Sequence, residues 1–130
     1  MKHLVLIVAL TATPAFAQVT ADMPNPAAVT PASAQVVADT PNPLAGKADA
    51  VEAGHALFGQ MNCAGCHAYD LTGGMGPDLT DNSWQYGSKP GEIFHTIAEG
   101  TPRGMPAWKD KLTPDEIWQV VTYIQSKHAN

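Results

Sequence analysis

Three stretches of the chain repeat apolar residues at helical spacing. In residues 49–61, DAVEAGHALFGQM, the positions Val51, Gly54, Leu57, Phe58 and Met61 recur on one face, which predicts an amphipathic helix. Asp49 with Glu52 three residues later predicts a capping box at its start. PGEIFHTIAEG, residues 90–100, predicts a second short helix, with Ser88 or Lys89 near its start and Gly100 as its stop. The clearest pattern is LTPDEIWQVVTYIQSK. There Thr113 suits the N-cap, Pro114 the first helical position and Glu116 the closing position of the box. Ile117, Val120, Val121 and Ile124 then form one apolar stripe. Between these segments lie Gly- and Pro-rich loops without a convincing strand pair, so the pattern predicts a small, helical, loop-rich domain.

The N-terminal pattern is different. Lys2 and His3 precede the apolar run LVLIVAL, and TATPAFA ends in Ala15-Phe16-Ala17. A basic start, an apolar stretch and a small-residue cleavage site predict an export signal over residues 1–17. Seven apolar residues fall short of the roughly 20 needed to cross a bilayer, so the expected mature protein has no membrane span. Residues 18–48 are rich in Ala, Pro, Val and Thr, and proline at this density denies helix and central strand. The segment reads as a flexible, polyproline-like linker. Within it ADMPNP (Ala21–Pro26) recurs loosely as ADTPNP (Ala38–Pro43), a partner motif or a low-complexity leader without a defined role. The folded domain is expected over residues 49–130.

Composition narrows the class. The chain of 130 residues suits one domain, and only 15% of them are charged, with a formal net charge of −5. Without Lys2 six basic residues face twelve acidic ones, a net charge of −6. Nucleic-acid binding, which wants clustered Lys and Arg, is disfavoured. A helical domain of about 80 ordered residues with few large apolar side chains has a thin core, in a size range where staples are often needed. A large buried cofactor would supply one.

The two cysteines of the chain fall in Cys63-Ala64-Gly65-Cys66-His67. In an exported chain such a pair could form a disulfide, but a thiol redox site belongs at a helix start in a βαβ unit, and no β-branched run precedes Cys63. Zinc would need two more ligands of similar type. His55, His95 and His128 are scattered, without zinc spacing. C-x-x-C-H is the attachment pattern of c-type haem. Two thiols three residues apart reach the two vinyl groups on one porphyrin edge, and the next residue, His67, lies under the ring with its Nε2 towards the iron. Ala64 and Gly65 leave room for the tight turn.

With these residues in hand, the segment 49–128 resembles class I cytochromes c. The first helix with Gly54 and Phe58, the haem motif, GMGPDLT, GMPAW and DEIWQVVTYIQS each match a part of that family's pattern. The resemblance implies an all-α cytochrome c fold, with small helices and loops wrapped around one covalent haem c and its iron. It implies that the first and last helices cross at small residues, with Gly54 letting Tyr123 approach. It implies that the carbonyl of Pro77 accepts the Nδ1 hydrogen of His67, which would hold Met75 on the proximal side. Trp84 and Tyr86 stand where the family often places donors to haem propionates. Arg103 could serve the same end or stay exposed, and Asp78 and Asp81 read as loop caps.

The second axial ligand decides what the iron can do. Met23 lies in the linker, Met61 on the core face of the first helix, and Met75 beside Pro77. Met105, between Gly104 and Pro106 in a loop that joins two helices, is the expected ligand; His95 and an open position are the alternatives. A His/Met pair fills both axial positions and raises the potential, whereas activation of oxygen, peroxide or nitrite needs a vacant one. The expected function is therefore that of a periplasmic, monomeric one-electron carrier and not an enzyme. The alternative is a haem enzyme or ligand sensor with a displaceable Met105. Arg103, Lys109 and Lys111 suggest a basic docking rim beside the ligand loop. The run from Asp81 to Trp118 is similar to cytochromes that accept electrons from periplasmic quinoprotein alcohol dehydrogenases, and to c-type domains of terminal oxidases. It implies a dehydrogenase as donor and an oxidase as acceptor.

Overall fold

The computed structural model describes residues 36–128. The expected export signal and the first copy of the Ala-Asp-x-Pro-Asn-Pro repeat lie outside the described residues. Among these, the elements are four helices and no strand: α1 (Ala48–Gln60), α2 (Ala64–His67), α3 (Pro90–Glu99) and α4 (Pro114–His128).

Helix α4 forms as its sequence demands. Glu116 Oε2 accepts the Thr113 N–H at 2.7 Å and the Thr113 hydroxyl at 2.8 Å, while Thr113 Oγ1 accepts the Glu116 N–H at 3.3 Å. Only half of that box forms at α3: Glu92 Oε2 accepts the Lys89 N–H at 3.0 Å, while the lysine side chain has no acceptor to return, and Gly100 ends the helix at φ 72°. Helix α1 starts one residue earlier than expected. Its N-cap is Lys47, which offers no side-chain bond, so the Asp49/Glu52 box does not form; Asp49 sits instead in the first turn, where its charge favours the positive end of the helix dipole.

The core is organised around the crossing of α1 on α4, with α3 lying against α4. A Cβ placed on Gly54 would stand 2.0 Å from the Gln119 carbonyl oxygen and 2.9 Å from Tyr123 Cβ. Only glycine permits that approach. The Tyr123 ring then meets Phe58 edge-on at 5.5 Å and stacks on His55 at 4.9 Å. Burial on α4 extends well beyond one stripe, because Trp118, Thr122 and Tyr123 are as buried as Ile117, Val120, Val121 and Ile124.

Tyr123 is covered by α1 and Trp118 by Phe94 of α3, whereas the burial of Thr122 has a cause that composition hid. Residues 36–47, expected as flexible linker, are packed on the domain. Val36 joins the core at 7% exposure, and Asn42 donates to Thr122 Oγ1 at 3.0 Å and to Gln125 Oε1 at 2.9 Å. Asp39 pairs with Lys89 at 2.5 Å. The folded unit therefore begins before Asp49.

Three substitutions should change stability. Gly54→Ala gains helix propensity but drives a methyl into backbone, and a net loss of about 1–3 kcal/mol is expected in chemical denaturation. Hydrogen bonds from the Thr113 N–H and hydroxyl hold the Glu116 carboxyl below its usual range. A lowered folded-state pKa contributes stability above the unfolded value, lost as pH falls through the folded one. Glu116→Gln should flatten the acid limb of a Tm-versus-pH curve, and Thr113→Ala should cost about 1 kcal/mol at neutral pH.

Candidate haem site

The attachment turn grows directly out of α1. The Cys63 N–H bonds the Phe58 carbonyl at 3.0 Å, and the Cys66 and His67 N–H groups both reach Cys63 O, at 3.1 and 3.0 Å. Cys63 and Cys66 thus sit one turn apart as unbridged, half-buried thiols. Burial pushes the Cys63 thiol pKa up, opposed by a backbone hydrogen bond. A Cβ on Gly65 would meet the Asn62 side chain at 2.7 Å, so the small residue between the cysteines makes room for that amide.

His67 is buried and held from two directions. Its Nδ1 lies 2.9 Å from Pro77 O. A carbonyl can only accept, so Nδ1 carries the hydrogen and Nε2 keeps its lone pair for a metal. Below the ring, a Cβ on Gly76 would stand 2.7 Å from Cε1 and 2.9 Å from Nδ1. The loop that carries these contacts is tied back through Gly76 N–H to Cys66 O at 2.9 Å and Gly73 N–H to His67 O at 3.0 Å. Three non-glycine residues around the motif adopt left-handed backbone: Asn62 (φ 59°), Ala68 (φ 61°) and Leu71 (φ 65°). Such conformations cost on the order of 1 kcal/mol each. Leu71 is fully buried, and its carbonyl accepts the Leu79 N–H at 2.8 Å, which offsets part of that strain.

Met105 is half-buried against the core in the loop after α3. Thr101 N–H bonds Met105 O at 2.9 Å, and Gly100 lies so close that a Cβ there would be 2.5 Å from the same oxygen. The Trp108 N–H returns to Ile97 O and Ala98 O, both at 3.1 Å, fastening the loop to the last turn of α3. Met75 is 88% exposed, and Met61 packs on the core. His95 Nε2 bonds the Val36 carbonyl.

Other expected site residues divide. Trp84 departs from the expectation of a propionate donor: its single N–H goes to His128 Nε2 at 3.0 Å, and His128 Nδ1 reaches Thr80 O at 3.1 Å. The indole staples the loop to the end of α4, a role that no local signal announced. Tyr86 and Arg103 are exposed. Asp78 and Asp81 cap their loops, accepting the Thr80 N–H at 2.7 Å and the Ser83 N–H at 2.8 Å. The basic rim is partly neutralised, since Lys109 pairs with Glu99 at 2.6 Å; Lys111 keeps its charge and lies over the Trp108 ring at 4.9 Å.

The donor set fits a covalently attached haem c: two thiols one turn apart, followed by a buried imidazole whose tautomer leaves Nε2 free. Among the described residues no three His, Cys, Asp or Glu side chains converge on a metal-sized point. Fold and site together define a class I c-type cytochrome domain, with haem c joined through a C-x-x-C-H motif at Cys63 and Cys66. The chain belongs to the family described as cytochrome c oxidase, cbb3-type, subunit III, whose profile matches residues 49–124.

Individual relatives agree on the class. The chain is 42% identical over 87 residues to the cbb3-type cytochrome c oxidase subunit FixP of Sinorhizobium medicae, covering 59% of this chain and 30% of that protein. It is 38% identical over 74 residues to cytochrome c-L of Methylorubrum extorquens, covering 55% of this chain and 37% of the relative. The crystal structure of cytochrome cL from Methylophaga aminisulfidivorans superposes with a TM-score of 0.62 at 31% identity, over 66% of this chain and 58% of the other. The chain thus spans only about a third of the curated relatives it matches. No helix among the described residues is long and apolar enough to cross a membrane.

Gly76→Ala would press a methyl into the His67 ring. A lower ratio of bound haem to protein is expected on expression, together with a lower Tm of the haem-free chain, both measurable by absorbance and calorimetry.

Proposed function

We propose that this domain is a one-electron carrier of the periplasm. Haem c supplies the Fe(III)/Fe(II) couple. Cys63 and Cys66 would hold it by thioethers, His67 Nε2 would ligate the iron from one side and Met105 from the other. The observation that carries this reading is the His67 Nδ1–Pro77 O bond beside the two thiols, because it dedicates the imidazole to ligation through Nε2.

The Met105 loop, tied to α3 by backbone bonds, supports a fixed sixth ligand. A filled sixth position leaves no site for a substrate, and a ligand set that stays put through the redox cycle keeps reorganisation small. Tyr86 and Arg103, exposed on loops, are proposed to reach the propionates. The likeness to oxidase subunits supports a terminal oxidase as acceptor. The proposed donor is a periplasmic dehydrogenase, by the resemblance of the Asp81–Trp118 run, and the carrier is proposed to act as a monomer. The basic start, apolar stretch and Ala-Phe-Ala site of residues 1–17 support export.

The test is spectroscopic. The ferric protein is expected to show the far-red charge-transfer band of sulfur ligation, absent in Met105→Ala, with a lower midpoint potential in the variant. Ferrous wild type should bind carbon monoxide slowly and Met105→Ala rapidly. Rapid binding by the untouched protein would overturn the carrier reading in favour of a ligand-binding haem.

A further inference from the structure

The packed arm makes contacts that a second part of the chain can also make. The arm runs Gln35-Val36-Val37-Ala38-Asp39-Thr40-Pro41-Asn42-Pro43, and residues 18–26 read Gln18-Val19-Thr20-Ala21-Asp22-Met23-Pro24-Asn25-Pro26. The repeat therefore spans nine positions, seven of them identical, and is longer than its Ala-Asp-x-Pro-Asn-Pro centre.

The identical positions include the three whose side chains hold the arm. Val36 is buried, Asp39 pairs with Lys89 at 2.5 Å, and Asn42 bonds Thr122 and Gln125 on α4. The two positions that differ make no such contact. Val37 is 61% exposed, and Thr40 Oγ1 accepts only the Val37 N–H of its own turn, at 2.9 Å. The remaining contacts are backbone and indifferent to sequence: His95 Nε2 takes the Val36 carbonyl, and Gly91 lies under the arm, where a Cβ would stand 2.0 Å from Val37 O. The prolines at matching positions fix φ in both copies and lower the entropy of docking.

We infer that residues 18–26 are a second docking sequence for the socket formed by α3 and α4, so that the socket is a peptide-binding site with two competing ligands in the same chain. Val19 takes the place of Val36, Asp22 that of Asp39, and Asn25 that of Asn42. The near copy prevails because it closes a shorter loop. Residues 44–47 join it to α1, against residues 27–47 for the far copy, four against twenty-one. That is a little over two doublings, which loop-closure scaling turns into about a tenfold preference. Exchange between copies shifts the docking register by seventeen residues while the haem motif stays in place. The inference is independent of which side chain is the second axial ligand.

The test uses the full-length, haem-loaded chain and amide hydrogen exchange in the socket, at α3 and around Gln125. Three variants are compared: Val36→Ala with Asp39→Ala and Asn42→Ala; the matching changes Val19→Ala, Asp22→Ala and Asn25→Ala; and all six together. The far-copy variant should exchange like wild type. In the near-copy variant exchange in the socket should rise no more than about tenfold, with new protection over residues 18–26, and in the six-fold variant by at least about tenfold more. If the near-copy changes alone remove as much protection as all six, the far copy does not dock and the inference fails. It fails too if the protection kept by the near-copy variant disappears on dilution, because the far copy is then acting between molecules. Should the near-copy variant lose its helical circular dichroism, Asn42→Ala compared with Asn42→Ala plus Asn25→Ala asks the same question on a milder background.

Discussion

The contact of Gly54 with the backbone of α4 sets the geometry of everything else. With no side chain between them, α1 meets α4 at the Gln119 carbonyl, and Phe58 and Tyr123 interlock beside the crossing. That fixes where α1 ends, and the chain leaves it straight into the attachment turn, with Cys63 bonded to Phe58 O. The position of the two thiols and of His67 is thus inherited from a helix crossing several residues upstream. A residue of the wrong size at position 54 would misplace chemistry that it never touches.

His67 shows how a loop can select a protonation state. The imidazole has two nitrogens of similar basicity, and in water either can carry the hydrogen. The Pro77 carbonyl removes the choice, and Gly76 lets the loop come close enough to do so. The Met105 loop also relies on a glycine at close quarters, Gly100 against the Met105 carbonyl oxygen, and on main-chain bonds to α3. Irregular segments are held here by main-chain hydrogen bonds and by glycines that let backbone approach closely.

What could be read from the sequence was what depends on neighbours along the chain. The α4 cap, the Pro90 start and the Cys63–His67 spacing are local, and local rules found them. At the start of α1 a box of the right letters, Asp49 and Glu52, loses to an earlier start with Lys47 as the N-cap. Nothing local marks Trp84 as a partner of His128, forty-four residues away, or Asn42 as a partner of Thr122, eighty residues away. Residues 36–47 carry linker composition because their bonds to the domain are mostly backbone or single polar side chains, which hydrophobic periodicity does not register. The Pro77 contact came from family resemblance, since its donor and acceptor lie ten residues apart across an irregular loop.

The left-handed residues around the motif bear on how far C-x-x-C-H is a self-contained unit. Asn62, Ala68 and Leu71 each hold a backbone shape that a free peptide of the same letters would abandon. They keep it because Leu71 is sealed in the core and the flanking loop is laced to Cys66 and His67. Transplanted to another scaffold, the five residues would carry their thiols and imidazole with them and leave behind the strained flanks that aim them. The motif travels as chemistry, and its geometry belongs to the domain.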